Sequence, residues 1–232
     1  MSEPLPVVLV PGLLLDWRLY APQLPALWPQ GVVLAHHAGE DSMAAIAHRI
    51  LAAAPPRFAL AGLSMGGYLA FEILRQAPKR VARVAFLDTT AQADSPEVTA
   101  ARRAQMQVAA GGGLTQVVEA LIPRLIHPQH QGDAALTGLI RDMGRAVGVR
   151  GYLNQQAAII GRPDSRALLG SIRCPALVVV GDHDQLTPPE RAAEIANGIP
   201  GARLIVIPRC GHLSTLECPE AVTSALCAWL SS

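Results

Sequence analysis

The segment Gly62-Leu63-Ser64-Met65-Gly66-Gly67 indicates the fold of this chain more specifically than any other part of the sequence. It follows an apolar run at residues 57–61 and precedes a helical pattern at residues 68–74. G-x-S-x-G at a sharp turn from a strand into a helix is typical of a nucleophile elbow, in which the serine hydroxyl projects above the sheet. Glycines on both sides let the neighbouring backbone segments pass without a Cβ clash. The pattern therefore predicts an exposed Ser64 at a strand-to-helix turn.

Short apolar runs alternate with helical patterns on both sides of this turn. We predict strands at 6–10, 32–35, 57–61, 81–87, 176–180 and 203–207. Helices are expected from Asp16 to about Trp28 and at 42–54, 188–197 and 217–230. Continuous apolar strands that alternate with helices are typical of a parallel sheet covered on both faces. The predicted fold class is α/β, with a mainly parallel sheet of about six strands.

The strand signal disappears between Thr89 and Ser171, where helical segments are expected near 95–110, 114–126, 132–147 and 150–161. We interpret residues 91–170 as a helical lid inserted into a core formed by residues 1–90 and 171–232. The alternative is a helical subdomain without a role in chemistry. Insertions at the carboxyl ends of strands usually shape a pocket, which favours the lid.

Composition limits the kinds of partner. Half of the 232 residues are hydrophobic, 16% are charged, and the formal net charge is +1. Such a chain buries a core and has no long-range attraction to nucleic acid or to an anionic membrane, so we expect neither as a partner. The amino terminus lacks a basic n-region, and the four cysteines lack C-x-x-C spacing. We expect a cytoplasmic monomer or homodimer with reduced thiols.

A serine hydroxyl needs a base to accept its proton and an acid to orient that base. His212, in a loop after the last predicted strand, is the candidate base. Asp182 and Asp184 follow the preceding predicted strand, and the residue pattern alone leaves the choice between them open. Asp88 is a third candidate acid, which we expect instead to cap the entry to the lid.

The developing oxyanion needs two N–H donors. The amide of Met65 is one candidate, and the amide of Leu13, in the loop after the first strand, is the other because Pro11 has no N–H. Leu14 belongs to an apolar run that either lines a pocket for an uncharged group or packs on the core.

Polar residues of the predicted lid and of the loop after the second strand are weaker candidates. Asn154 and Gln155 are expected to contact substrate, although solvated amides on a helix explain them as well. His36 and His37 follow a strand, and whether they line the pocket stays open. No histidine has the spacing of a metal site, so no metal and no cofactor are expected.

A strand, a glycine-rich turn, a helix and a later acidic residue also resemble a dinucleotide site, with Asp88 standing 21 residues beyond Gly67. That fingerprint requires glycine where this chain has Ser64. We therefore exclude a dinucleotide cofactor.

Taken together, the motifs resemble the α/β-hydrolase superfamily over nearly the whole chain. Besides the elbow, Pro11-Gly12 stands where the family usually shows His-Gly, and Tyr20 where an aromatic residue is common. Gly211-His212-x-x-x-x-Glu217-x-Pro219 is similar to the family's histidine loop. In Gly181-x-x-Asp184-x-x-x-Pro188 the family pattern makes Asp184 the acid. Only about six residues precede the first strand, so the family's amino-terminal hairpin is expected to be missing.

The resemblance implies a serine esterase of the carboxylesterase kind, with Ser64, Asp184 and His212 as catalytic triad. It would cleave a small to medium, mostly apolar carboxylic ester through an acyl-enzyme. Thioesterases, lactonases and C–C bond hydrolases of aromatic degradation are similar at these positions and remain alternatives. A ligand receptor on the same fold is the alternative from another class.

Overall fold

The computed structural model describes residues 5–231 and places six parallel strands in one sheet. The strands are β1 (Val7–Val10), β2 (Val32–Leu34), β3 (Phe58–Leu63), β4 (Val81–Leu87), β5 (Ala176–Gly181) and β6 (Arg203–Ile207). Their order across the sheet is β2-β1-β3-β4-β5-β6, and every pairing is parallel. The predicted strands and the α/β fold class are confirmed.

Both faces of the sheet are buried, which explains why its central strands are continuous apolar runs. Side chains alternate between faces along a strand. In β1, Val7 and Leu9 pack into one hydrophobic core, whereas Val8 and Val10 pack into the other. β1, β3 and β5 are buried along their whole length, whereas the edge strand β6 is largely exposed.

Helices cover the two faces. They are α1 (Leu24–Leu27), α2 (Met43–Ala53), α3 (Met65–Gln76), α4 (Pro96–Val108), α5 (Leu114–Leu125), α6 (Ala134–Ile160), α7 (Arg166–Leu169), α8 (Pro189–Gly198), α9 (Ser214–Glu217) and α10 (Pro219–Ser231). Single turns of 3₁₀ helix lie at Trp17–Tyr20, Trp28–Gln30, Pro78–Arg80 and Pro128–His130. None of the helices between residues 5 and 231 has the length and hydropathy needed to cross a bilayer.

Two predicted helices are broken into pieces. The segment from Asp16 to Trp28 forms a 3₁₀ turn, a turn and the short helix α1, because its prolines remove backbone donors. The predicted closing helix begins earlier, as α9, and restarts at Pro219 as α10.

Residues 91–170, here called the helical insertion, contain α4 to α7 and, as described, no strand. A π-helical turn at Ala109–Gly113 joins α4 to α5. Gly148 interrupts α6 with φ 70° and ψ 174°, so α6 consists of two helical segments close to the predicted 132–147 and 150–161. Glycine suits this position because a side chain is strained at such a φ.

The parallel arrangement brings the functional loops together. The loops after β1, β3, β5 and β6 carry Leu13, Ser64, Asp184 and His212 in that order. The carboxyl ends of parallel strands meet at one edge of the sheet, where α/β proteins bind their ligands. All four residues therefore lie at the same edge.

The turn between β3 and α3 depends on glycine at position 66. A Cβ on Gly66 would lie 2.0 Å from the carbonyl oxygen of Val10, inside the sheet. We expect Gly66→Ala to lower the free energy of unfolding by more than about 3 kcal/mol, because only backbone movement relieves this clash. Urea denaturation of the purified variant measures the change.

Gly138→Ala is the matched control, because Gly138 lies in α6 with no heavy atom within 4 Å of the added Cβ. It is expected to stabilise the protein by about 0.5–1 kcal/mol through its higher helix propensity. Equal stabilities of Gly66→Ala and the wild type would contradict the tight packing of α3 against β1.

Candidate active site

Ser64 sits at the bend between β3 and α3 in a strained conformation. Its φ is 57° and its ψ is −116°, a region that non-glycine residues rarely occupy. Its N–H donates to the carbonyl of Leu87 at 2.9 Å, and its own carbonyl accepts from Thr89 Oγ1 at 2.8 Å. Such strain costs on the order of 1–3 kcal/mol and persists only where surrounding contacts enforce it. The fold thus holds Ser64 at the tip of the turn.

His212 and Asp184 form a buried pair. His212 Nδ1 and Asp184 Oδ2 are 2.7 Å apart, and both side chains are almost fully buried. The backbone N–H groups of Leu186 and Thr187 donate to Asp184 Oδ1 at 2.8 and 2.9 Å, and Thr187 Oγ1 donates to Oδ2 at 2.7 Å. Asp184 is therefore held as a hydrogen-bonded carboxylate that orients the imidazole.

The electrostatics of this pair favour the charged forms. Burial raises the pKa of Asp184, but the charge and hydrogen bond of His212 and the bonds from Thr187 outweigh it, so the pKa lies below its ordinary value. Burial lowers the pKa of His212, but the Asp184 carboxylate outweighs burial, so this pKa lies above its ordinary value. His212 is accordingly a stronger base than a free histidine.

The structure distinguishes Asp182 from Asp184, a choice that the residue pattern left open. Asp182 Oδ1 lies 2.7 Å from His183 Nδ1 and accepts from the N–H of Cys210 at 3.1 Å. Asp184, two residues later, is the one that reaches His212.

Asp88 does not cap the entry to the insertion, contrary to our expectation. Its side chain is fully buried beneath the sheet edge, where it accepts from the N–H of Gly181 at 3.0 Å and from Ser214 Oγ. Burial and the nearby Asp184 carboxylate raise its pKa well above the ordinary value. Ser95 caps α4 instead, by accepting from the N–H of Val98. The direction of the side chain just after β4 determines the surroundings of Asp88, and the sequence pattern does not show that direction.

The loop after β1 packs against Ser64. A Cβ on Gly12 would lie 3.2 Å from the Cβ of Ser64, so Leu13 lies next to the elbow. The N–H of Leu15 donates to the carbonyl of Gly12 at 3.2 Å and closes a tight turn, in which Leu14 has φ 59°. Met65 begins α3 directly after Ser64. The two predicted oxyanion donors thus flank the serine.

A cavity of about 820 Å³ opens beside the elbow, and both Ser64 and His212 line it. Leu13 and Leu14 line it from the loop after β1. The insertion contributes much of the apolar wall through Val98, Val118, Leu121, Leu125, Ile140 and Ile159. The arrangement gives a small molecule in the cavity access to the serine and the imidazole together.

Charged residues in the cavity wall were missed by sequence reasoning. Asp94 bonds to Arg102 at 2.6 Å and to Arg162 at 2.8 Å. The Arg162 guanidinium lies over the ring of Tyr68, 4.1 Å from its centroid. No motif marks these positions. Within residues 5–231, no group of three or more His, Cys, Asp or Glu side chains is arranged to hold a metal ion.

Asn154 and Gln155 lie outside the cavity lining and contact core loops instead of the space beside Ser64. Asn154 Nδ2 donates to the carbonyls of Ala38 and Gly39 at 3.2 and 3.3 Å. Gln155 is fully buried and accepts from the N–H of Leu14 at 3.0 Å. The face of α6 that carries them packs on the loops after β1 and β2, which a single-sequence pattern does not reveal.

The two histidines that follow β2 also lie outside the cavity lining. His36 is exposed, whereas His37 is buried with its Nε2 2.9 Å from the carbonyl oxygen of Gly12. His37 therefore contacts the loop after β1 without reaching the cavity.

Glu217 connects the His212 loop to the insertion. Its buried Oε1 accepts from the N–H groups of Gly211 and Leu213 at 3.0 and 3.2 Å, and Oε2 accepts from the N–H of His127 at 2.6 Å. The N–H of His212 donates to the carbonyl of Leu125 at 2.9 Å. The position of His212 is thus fixed partly by residues at the end of α5.

Known proteins share this fold. A thermophilic esterase from Thermogutta terrifontis superposes with a TM-score of 0.89 and is 33% identical, covering 98% of this chain and 89% of its own. The enol-lactonase from Burkholderia xenovorans LB400 has a TM-score of 0.90 and 26% identity, covering 100% of this chain and 93% of its own.

Sequence comparison leads to the same group of proteins. The pimeloyl-[acyl-carrier protein] methyl ester esterase of Neisseria meningitidis serogroup B is 29% identical over 212 residues, which are 86% of this chain and 81% of the relative. The model of the Alpha/beta hydrolase family matches residues 7–225. This chain belongs to the alpha/beta hydrolase family.

Proposed function

We propose that this protein is a serine hydrolase that cleaves small to medium, mostly apolar carboxylic esters through an acyl-enzyme. The observation that carries the proposal is the shared cavity. Ser64, on a strained turn, and His212, held by Asp184, both line the same cavity, whose wall includes a large apolar part. A nucleophile, a base and an orienting acid in this relation are the elements of serine acyl transfer.

Each residue has a role in the reaction. Because Nδ1 of His212 is engaged by Asp184, its Nε2 is the nitrogen that accepts the Ser64 proton as Oγ attacks the ester carbonyl. The amides of Leu13 and Met65 stabilise the tetrahedral oxyanion. His212 then gives the proton to the departing alcohol, and water activated by the same imidazole releases the acid.

The helical insertion acts as a lid in this proposal, over a core formed by residues 1–90 and 171–232. Support comes from the cavity wall, much of which consists of apolar side chains between Val98 and Ile159. The apolar part of this wall favours uncharged acyl and alcohol groups. Residues of the insertion would therefore set the size of the ester that is accepted.

A lactone is the second candidate substrate, because hydrolysis of a cyclic ester uses the same acyl transfer. The high structural similarity to an enol-lactonase supports it, as the similarity to two esterases supports an open-chain ester. Initial rates on matched open-chain and cyclic esters of equal carbon number separate the two.

Removal of the nucleophile gives the first test of the proposed function. Ser64→Ala is expected to lower kcat for a short-chain p-nitrophenyl ester by at least about 10,000-fold, because the acyl-enzyme no longer forms. The variant should also lose labelling by a fluorophosphonate probe while its thermal unfolding stays near that of the wild type. Ser171→Ala, at an exposed serine, is the control and should keep turnover and labelling. Full turnover by Ser64→Ala would refute the proposal.

The choice of acid gives a second test, in the pH profile of kcat/KM. The wild-type profile should rise with pH at a midpoint above the ordinary pKa of histidine. The reaction needs neutral His212, and although burial lowers the pKa of this imidazole, the Asp184 carboxylate outweighs burial and raises it. Asp184→Asn should move this rise to lower pH and reduce kcat by about 10,000-fold. Asp182→Asn keeps an acceptor for the N–H of Cys210 and should leave the rise in place. A shift caused by Asp182→Asn alone would assign the acid to Asp182.

A further inference from the structure

A buried glutamine and a buried histidine hold the loop that carries Leu13. Gln155 Oε1 accepts from the N–H of Leu14 at 3.0 Å, and Gln155 Nε2 lies 3.0 Å from His37 Nε2. The same His37 nitrogen is 2.9 Å from the carbonyl oxygen of Gly12. Gln155 is fully buried and His37 is 4% exposed, and neither lines the cavity.

These contacts fall on the two peptide groups on either side of the Leu13 Cα. The carbonyl of Gly12 and the N–H of Leu13 belong to one planar peptide unit and point in opposite directions. A bond to the Gly12 oxygen therefore fixes the direction of the Leu13 N–H. Gln155 fixes the following peptide unit through the N–H of Leu14.

The loop needs such support because its conformation is unfavourable on its own. Leu14 has φ 59°, which costs a residue with a Cβ on the order of 1 kcal/mol. The remaining bond within the turn runs from the N–H of Leu15 to the carbonyl of Gly12 and is long, at 3.2 Å. Without external partners, the turn has little to keep its peptide planes in place.

We propose that Gln155 and His37 are positioning residues of the oxyanion site, which hold the N–H of Leu13 toward the oxygen that develops on the substrate. This inference rests on the proposed function, because it assigns a task within serine acyl transfer. Gln155 belongs to α6, so the insertion supplies part of the support for the catalytic loop as well as a wall of the cavity.

The orientation of the amide follows from its partners. The Leu14 N–H requires an oxygen, so the NH₂ group of Gln155 faces His37. Burial lowers the pKa of His37 to about 4, so its imidazole is neutral near pH 7. The tautomer protonated at Nε2 donates to the carbonyl of Gly12 and makes no bond with the NH₂ group of Gln155, whereas the other tautomer accepts from that NH₂ group and makes no bond with Gly12. In both tautomers His37 supports the loop, directly or through the glutamine.

The test removes each hydrogen-bonding group while keeping its volume. Gln155→Met leaves the N–H of Leu14 without its acceptor, and His37→Leu removes the imidazole nitrogen that bonds either to the carbonyl of Gly12 or to Gln155. Each is expected to lower kcat for a p-nitrophenyl ester by about 10- to 100-fold with KM changed less than about threefold, because the oxyanion is bound only in the transition state. The rate of inactivation by diethyl p-nitrophenyl phosphate, which also develops a negative oxygen, should fall in parallel.

His37→Gln is the conservative variant, since its amide offers a donor for the carbonyl of Gly12 and an acceptor for the NH₂ group of Gln155, and it should recover most of the lost kcat. Arg150→Met, at an exposed position of α6, is the control for substitutions in this helix and should behave as the wild type. If Gln155→Met does not fold, the kcat values of His37→Leu and His37→Gln are sufficient to test the positioning role.

The possible results distinguish a failure of the proposed function from a failure of the positioning role. A wild-type protein that neither hydrolyses the p-nitrophenyl ester nor is inactivated by diethyl p-nitrophenyl phosphate refutes the proposed function. An active wild type whose Gln155→Met and His37→Leu variants keep kcat, or change KM alone, refutes the positioning role and leaves the function intact. A loss of kcat in both variants, with recovery in His37→Gln, supports the inference.

Discussion

The close approach of α3 to the end of β1 is the constraint on which the site depends. Because position 66 has no side chain, the backbone there lies against the carbonyl of Val10, and α3 starts directly above the sheet edge. The same contact places the chain that leaves β1 next to Ser64. The serine and the two peptide amides expected to stabilise an oxyanion are thereby brought together by packing of backbone on backbone. Their convergence needs no long side chains.

Much of this arrangement could be predicted from the sequence. Buried parallel strands are continuous apolar runs, so each of the six strands has a clear local signal, and parallel order implies that their following loops meet. Ser64 and His212 could be identified because glycines mark their loops. Asp184 could be chosen over Asp182 only through family resemblance, since both follow β5 and their distance to the imidazole depends on the turn at Thr187.

What could not be predicted depends on side-chain direction and tertiary contact. The Asp88 side chain points under the sheet because it accepts hydrogen bonds there from the N–H of Gly181 and the hydroxyl of Ser214. Gln155 faces a core loop and not the cavity because of the rotation of α6 on the core. The charged group around Asp94 forms between segments distant in sequence, so no local spacing indicates it.

The helical insertion is joined to both sides of the site, through Gln155 to the loop after β1 and through Leu125 and Glu217 to the His212 loop. The break at Gly148 separates α6 into two segments. The first contributes Ile140 to the cavity wall, and the second contributes Ile159 and also carries the amide that holds the loop after β1. Sequence changes before Gly148 can therefore alter the shape of the cavity during evolution while the supports of the loop stay in place.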